Sequence, residues 1–332
     1  MQIAFFNTKS YDKTYFNQST FLKNHQITYF EVPLNLQTAK LAEGFDGVCV
    51  FVNDVLDEAT LKKLAGIGVK IIALRCAGFN NVDLEAAHRL SLPVVRVPAY
   101  SPESVAEHAV ALILTLNRKT HRAYNRVREG NFSIEHLTGF NLFNKTIGVI
   151  GTGLIGASFC KIMLGFGCKV LAYDIQENPS LVAEGVSYTS LRELFAQTDV
   201  LSLHCPLIPA TTHLINAETI SQMKPGVMII NTSRGGLVDT KAAIEGLKTG
   251  QIGYLGIDVY EQEANLFFKD HADNVIQDDV IARLISFPNV LVTGHLGFFT
   301  QEALEEIAHI TLQNLTEFEE HIPLTNQVKL PK

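Results

Sequence analysis

Ile147-Gly148-Val149-Ile150-Gly151-Thr152-Gly153-Leu154-Ile155-Gly156 decides the fold of this chain. An apolar run leads into three glycines in the G-x-G-x-x-G spacing, and the apolar segment Ala157 to Leu164 follows. The order predicts strand, tight turn and helix. Gly151 permits the turn, Gly153 lets backbone N–H groups approach a pyrophosphate at the helix N-terminus, and Gly156 lets the helix pack closely on the strand. Asp174 closes the next apolar run, Lys169 to Tyr173, 18 residues past Gly156. A carboxylate there can accept both ribose hydroxyls of an adenosine. It would repel a 2′-phosphate, and Ile175-Gln176-Glu177 offers no Arg or Lys to counter that. The pattern favours NAD over NADP, although S-adenosylmethionine enzymes share a related glycine loop and ribose-binding acid.

Working outward, further short apolar runs end in polar residues: Val200 to Leu203, Val227 to Asn231, Tyr254 to Asp258 and Val290 to Val292. With Thr146 to Ile150 and Lys169 to Tyr173 they make six predicted strands separated by helical patterns, as in a dinucleotide-binding sheet. A second βαβ rhythm precedes them, with strands at Ile27 to Phe30, Gly47 to Val52, Val69 to Leu74 and Val94 to Val97. The amino-terminal Gln2 to Phe6 also reads as a buried strand. Ser101 and Pro102 open a long helical stretch expected to run unbroken to about Arg128. The basic residues at its far end, Arg118 to Arg128, read best as a solvated face or a subunit contact. Gln301 to about Glu319 is the last predicted helix, and it can return to the first unit.

The chain is long enough for about two domains. At 47% hydrophobic and 18% charged residues, it has ample apolar side chain for two cores. A net charge of -7 disfavours a nucleic-acid partner. No apolar run is long enough to span a bilayer, because the longest charge-free candidate, Val200 to Ala217, is interrupted by Pro206, Pro209, His204 and His213. Five cysteines without a C-x-x-C pair suit neither a disulfide framework nor a zinc site, so no metal is expected and a reducing, cytoplasmic location fits.

Polar side chains stand at three predicted strand ends, where open α/β sheets receive ligands. Arg234 lies in Asn231-Thr232-Ser233-Arg234-Gly235-Gly236, and a guanidinium can grip a carboxylate and polarise a carbonyl. Asp258, Glu261 and Glu263 follow the next strand, and His295 follows the last, between Gly294 and Leu296-Gly297. Each alone is an ordinary loop residue. Jointly, an anion anchor and a proton-transfer group on a nucleotide-binding sheet are what carbonyl reduction requires.

The chain resembles the D-2-hydroxyacid dehydrogenase family over nearly its whole length, and within it most closely the fermentative D-lactate dehydrogenases. The resemblance is carried by Arg75 to Asp83, Val97 to His108, the glycine loop, Asn231 to Gly235, Asp258 to Glu263 and Gly294 to Thr300. It implies an α/β fold of two doubly wound parallel-sheet domains. Residues 101–298 would form a Rossmann NAD-binding domain, and residues 1–100 with 299–332 a discontinuous flavodoxin-like substrate domain, with the active site in the cleft. His295 would be the general acid for pyruvate reduction, and Glu263 would hold its imidazole and favour the protonated form. Arg234 would bind the substrate carboxylate, assisted by the backbone at Ala77 and Gly78 and by Tyr100, while Phe298 would shape the pocket. The cofactor contacts implied are Gly151, Gly153, Leu154, Ile155, Gly156, Asp174, Cys205, Pro206, Thr232 and Ser233, with Asp258 on the nicotinamide side.

Gly297 stands where relatives often carry Ala, and Thr211 where they often carry Asn, which leaves pocket width and one cofactor contact open. The partners expected are a small substrate, pyruvate or D-lactate, and further copies of the chain in a dimer or tetramer. Two other readings stay open at this point: a bulkier 2-keto acid substrate, and a non-catalytic NAD-sensing protein.

Overall fold

A computed structural model describes residues 1–263, 266–268 and 270–330. The chain divides into two compact units, Met1–Ser101 with Phe299–Lys332, and Pro102–Phe298. Among the described residues each unit is built on one parallel sheet with helices on both faces.

The first unit contains strands β1 (Gln2–Phe5), β2 (Gln26–Tyr29), β3 (Gly47–Val50), β4 (Ile71–Leu74) and β5 (Val94–Val95). Their spatial order is β2-β1-β3-β4-β5, the flavodoxin-like winding. Alternate side chains serve opposite cores, as the two-residue period of a strand dictates. Ile3 and Phe5 pack with Ala308, Leu312 and Leu315 of the last helix (Gln301–Glu319), whereas Ala4 and Phe6 join Val48, Ile72 and Leu74 on the other face. Both faces being covered, the strands read as nearly continuous apolar runs. Thr300 starts the last helix by accepting from Ala303 N at 3.3 Å.

The second unit contains β6 (Thr146–Ile150), β7 (Lys169–Tyr173), β8 (Ser187–Tyr188), β9 (Val200–Leu203), β10 (Val227–Asn231), β11 (Ile252–Ile257) and β12 (Val290–Val292). The order β12-β11-β10-β9-β6-β7-β8 places the β6–α6 turn at the reversal of winding, where dinucleotides bind in such sheets. Here α6 is Leu154–Gly165. Sequence reading missed β8, a two-residue edge strand too short to carry a period.

The single helix expected from Pro102 to Arg128 is two. Helix α4 (Pro102–Arg118) ends where Lys119 takes φ +51, and α5 (Thr120–Arg128) follows without burying a residue. A left-handed residue cannot continue a right-handed helix, and nothing in the apolar period announces it. Helix α4 buries Ala109, Val110, Leu112, Ile113 and Leu116 against the seven-stranded sheet. Contact is close because Gly256 has no side chain: a Cβ there would lie 3.0 Å from Leu116 Cδ1 and 2.8 Å from Ile230 Cδ1.

Candidate active site

The glycine loop takes the form its sequence predicts. Gly151 has φ +92, and a Cβ on it would come within 2.6 Å of Cys205 N. A Cβ on Gly156 would collide with Gly151 O, so helix and strand close on each other here only through glycine. Gly153 caps α6 without a side-chain hydrogen bond, and a Cβ built on it meets nothing within 4 Å. Open space therefore lies over the start of a helix whose first-turn N–H groups no side chain caps, which is an anion cradle.

Asp174 reaches back to this loop, accepting from Thr152 N at 2.6 Å and Thr152 Oγ1 at 3.1 Å, and from Ile175 N at 2.7 Å. Partial burial pushes its carboxyl upward, but these hydrogen bonds outweigh burial and hold it below the usual carboxylate range. Across the crevice floor, Ser233 Oγ donates to Cys205 O at 2.7 Å, and Thr232 Oγ1 is buried without a protein partner. A buried hydroxyl left unsatisfied in the same unit as the open cradle fits a polar ligand supplying its hydrogen bond. Burial pushes the Cys205 thiol up to about 11, so it stays a packing group. Thr211 Oγ1 donates to Pro206 O at 2.7 Å and accepts from Ile208 N at 2.9 Å, fixing the loop after β9.

The ends of β10, β11 and β12 bring the polar side chains into position. Asn231 organises the first, accepting from Ser233 N at 3.1 Å and donating to Arg234 O at 2.9 Å. Arg234 Nη1 donates to Ser233 O at 2.7 Å. Gly235 is required by the neighbouring strand end, since a Cβ on it would overlap Tyr260 C and O and Glu261 N. Glu261 in turn accepts from Thr240 Oγ1 and Thr240 N and pairs with His213.

Glu263 folds back on its own turn. Oε2 accepts from Tyr260 N at 3.0 Å, and Oε1 lies 3.0 Å from His295 Nδ1. His295 has φ +57, a left-handed backbone uncommon for a non-glycine residue. The Phe268 ring lies 5.8 Å from its imidazole.

Asp258, which the family resemblance put beside the nicotinamide, is 1% exposed and turned toward residues 293–297. It accepts from Thr293 Oγ1 (2.5 Å), Leu296 N (2.9 Å) and Gly297 N (2.7 Å), and its Oδ1 is 3.3 Å from His108 Nε2. Burial pushes the carboxyl up, and hydrogen bonds led by those from His108 and Thr293 bring it below the usual range. A Cβ at Gly297 would face Asp258 Oδ2 at 3.0 Å and His108 Cδ2 at 3.5 Å. The departure from Ala at this position thus bears on the support of the His295 segment.

Sequence reading missed His108, Thr293 and Phe268. His108 and Thr293 sit within or beside stretches already quoted, but only folding shows that they meet Asp258.

In the first unit, Arg96 Nη1 donates to Ala77 O at 2.7 Å and lies over the Phe79 ring, while Cys76 Sγ is 3.3 Å from Gly78 O. These contacts fix the Ala77–Gly78 backbone just after β4. Tyr100 is half-buried near the end of this unit, and Phe298 is the buried last residue of the second. Among the described residues no group of three His, Cys, Asp or Glu is placed to hold a metal ion, and no helix is long and apolar enough to cross a membrane.

Residues 110–297 match the family model described as "D-isomer specific 2-hydroxyacid dehydrogenase, NAD binding domain". A 2-hydroxyacid dehydrogenase homolog of Haemophilus influenzae is 54% identical over 315 residues, covering 95% of each chain. The solved apo-structure of D-lactate dehydrogenase from Escherichia coli superposes with a TM-score of 0.92 at 50% identity, covering 99% of this chain and 100% of that one. D-lactate dehydrogenase from Aquifex aeolicus, solved in complex with NAD and lactic acid, gives a TM-score of 0.87 at 35% identity over 99% and 100%.

Proposed function

This chain belongs to the D-isomer specific 2-hydroxyacid dehydrogenase family, and from that premise we propose that it reduces pyruvate to D-lactate with NADH. It is an NAD-dependent 2-hydroxyacid dehydrogenase, and its second unit carries the NAD-binding domain. The finer reading assigns the substrate, the direction and the residue roles.

The observation that carries it is the His295–Glu263 pair in the same unit as the nucleotide cradle. A carboxylate accepts hydrogen bonds and does not donate them, so Glu263 fixes the proton of His295 on Nδ1. That leaves Nε2 to exchange a proton with the substrate oxygen. His295 protonates the oxygen as pyruvate is reduced and removes the proton in the reverse reaction. Arg234 binds the carboxylate and polarises the C2 carbonyl, with its loop held by Asn231.

By the family resemblance, we assign the Ala77–Gly78 backbone and Tyr100 to substrate-carboxylate binding, and Phe298 to limiting the space for the methyl group. NAD would be held by the loop of Gly151, Gly153, Leu154, Ile155 and Gly156, by Asp174 at the ribose, and along Cys205, Pro206, Thr232 and Ser233. When bound, NADH supplies the hydride, and the surrounding residues orient C2 and exclude water.

The experiment is a panel of 2-keto acids with NADH, followed by chiral analysis of the product. Pyruvate is expected to give the highest kcat/KM and D-lactate the product. A branched or aromatic acid outperforming pyruvate replaces the substrate assignment, and L-lactate overturns the stereochemical one.

The second unit also leaves Tyr124, Val127, Phe132, Ile134 and Phe143 exposed, with Phe132 and Ile134 at 75% and 82%. Exposed apolar side chains on and after the basic helix α5 support self-association as a dimer or tetramer, with light scattering after size exclusion as its measurement.

A further inference from the structure

We propose that His108 is a positioning residue that acts through Asp258 to hold the backbone of His295. The proposal rests on the reading of His295 as the proton-transfer residue and adds a role for a helix on the sheet's face.

A left-handed residue other than glycine costs free energy and persists only where surrounding contacts fix it. His295 is such a residue, with φ +57. What fixes it is next in the chain. The N–H groups of Leu296 and Gly297 both point to Asp258, at 2.9 and 2.7 Å, forming a small anion-binding concavity of successive amides. Thr293, two residues before His295, donates its hydroxyl to the same carboxylate at 2.5 Å. Asp258 therefore holds the chain on both sides of His295, through the Thr293 hydroxyl before it and two backbone amides after it, while remaining 1% exposed.

A buried carboxylate must itself be anchored and satisfied. The backbone N–H of Asp258 donates to Asn231 O at 2.9 Å, which sets the end of β11 against β10. On the side-chain side the anchor comes from α4. His108 Nε2 is 3.3 Å from Asp258 Oδ1 and 3.1 Å from Thr293 Oγ1, and its side chain is 14% exposed. Both neighbours require a donor from the imidazole. The carboxylate can only accept, and the Thr293 hydroxyl has already given its proton to Asp258. Nε2–H therefore bridges the two groups that clasp His295.

Helix α4 is packed on the sheet through Leu112 and Leu116 at Gly256, two residues before Asp258, so the donor is carried by a rigid element. Gly297 adds that no methyl group is wedged against Asp258 Oδ2 and the His108 ring. In this chain the clasp depends on hydrogen bonds from His108 and Thr293 rather than on packing at position 297.

Wild type, His108→Leu, His108→Gln and Thr293→Val are compared for NADH dissociation constant, melting temperature, and kcat and KM with the 2-keto acid that the wild type turns over fastest. His108→Leu is expected to lose about 10- to 100-fold in kcat, as misplacement of a reacting group does, with little change in KM or NADH affinity. His108→Gln keeps an N–H donor and is expected to recover most of the loss. Thr293→Val is expected to lose kcat in the same selective way.

Wild-type kcat in His108→Leu overturns the proposal. So does a Gln variant as slow as the Leu variant at equal melting temperature, or a loss confined to NADH affinity. Should the Leu variant not fold, Thr293→Val decides: a kcat loss at constant KM supports the clasp, and unchanged kcat overturns it. A wild-type protein that binds NADH but reduces no 2-keto acid fails the reading of the reaction itself and takes this proposal with it, a result distinct from any ranking among the variants.

Discussion

His295 Nδ1 lies 3.0 Å from Glu263 Oε1, and the other oxygen of that carboxylate is held by Tyr260 N at 3.0 Å. Neither oxygen is left to swing, so the imidazole's tautomer and plane are set from behind. Replacing His295 by Ala is expected to lower kcat by about 10² to 10⁴, the usual contribution of a general acid. Glu263→Gln keeps the shape but brings an amide that can present either a donor or an acceptor to Nδ1, and a smaller kcat loss is expected. Steady-state rates with NADH check both, and near-normal turnover of the Ala variant refutes the assignment.

Gly235 joins the loop of Arg234 to the turn that leads to Glu263. A Cβ at this position overlaps the Tyr260 carbonyl and Glu261 N, and backbone cannot rotate away as a side-chain end can. Gly235→Ala is expected to cost about 1–3 kcal/mol of stability, as overpacking does. It should also raise KM for the keto acid, since Arg234, assigned to the substrate carboxylate, is the preceding residue. Denaturant unfolding together with kinetics tests this, and a variant with unchanged stability and KM contradicts the contact.

We assign Asp174, just past the end of β7, to setting the cofactor preference through its charge. Ile175, the next side chain, is 91% exposed, so a longer cationic group fits there without displacing a core residue. Asp174→Ala is expected to weaken NADH binding, and Asp174→Ala with Ile175→Arg to raise kcat/KM for NADPH relative to NADH, because the repelling charge is gone and a phosphate partner added. The ratio of the two kcat/KM values is the measurement. A wild type that already prefers NADPH refutes the role given to Asp174.

Asp199 supplies a pH-dependent part of stability away from the site. Partial burial pushes its carboxyl up, but hydrogen bonds from Thr146 N (2.8 Å) and Lys224 Nζ (2.9 Å) together hold it below the ordinary carboxylate range. A carboxyl depressed in the folded state binds its proton first in the unfolded state as pH falls. Its contribution is therefore full above the unfolded value, about 3.9, and is lost as pH drops through the lower native value. Asp199→Asn should unfold more easily than wild type near neutrality, and the gap should narrow below about pH 4. A gap that stays constant over that range contradicts the linkage.

The glycine loop, the apolar runs and the helix caps are local features, so the sequence alone determines both sheets' principal strands, the nucleotide cradle and the choice of Arg234, His295 and the three carboxylates Asp258, Glu261 and Glu263 as candidates, among which the family resemblance singles out Glu263. Turn geometry and alternation depend on neighbours a few residues apart, and they survive in one chain read in order. The break at Lys119 and the two-residue strand Ser187–Tyr188 escape that reading because one left-handed residue and a two-residue strand leave no period in the sequence. Tertiary structure alone decides that His108 and Thr293 meet at Asp258, 150 and 35 residues away in sequence. Long-range hydrogen bonds carry no period and no spacing. Their existence depends on how α4 lies across the sheet, and this packing also determines how the left-handed backbone of His295 is held.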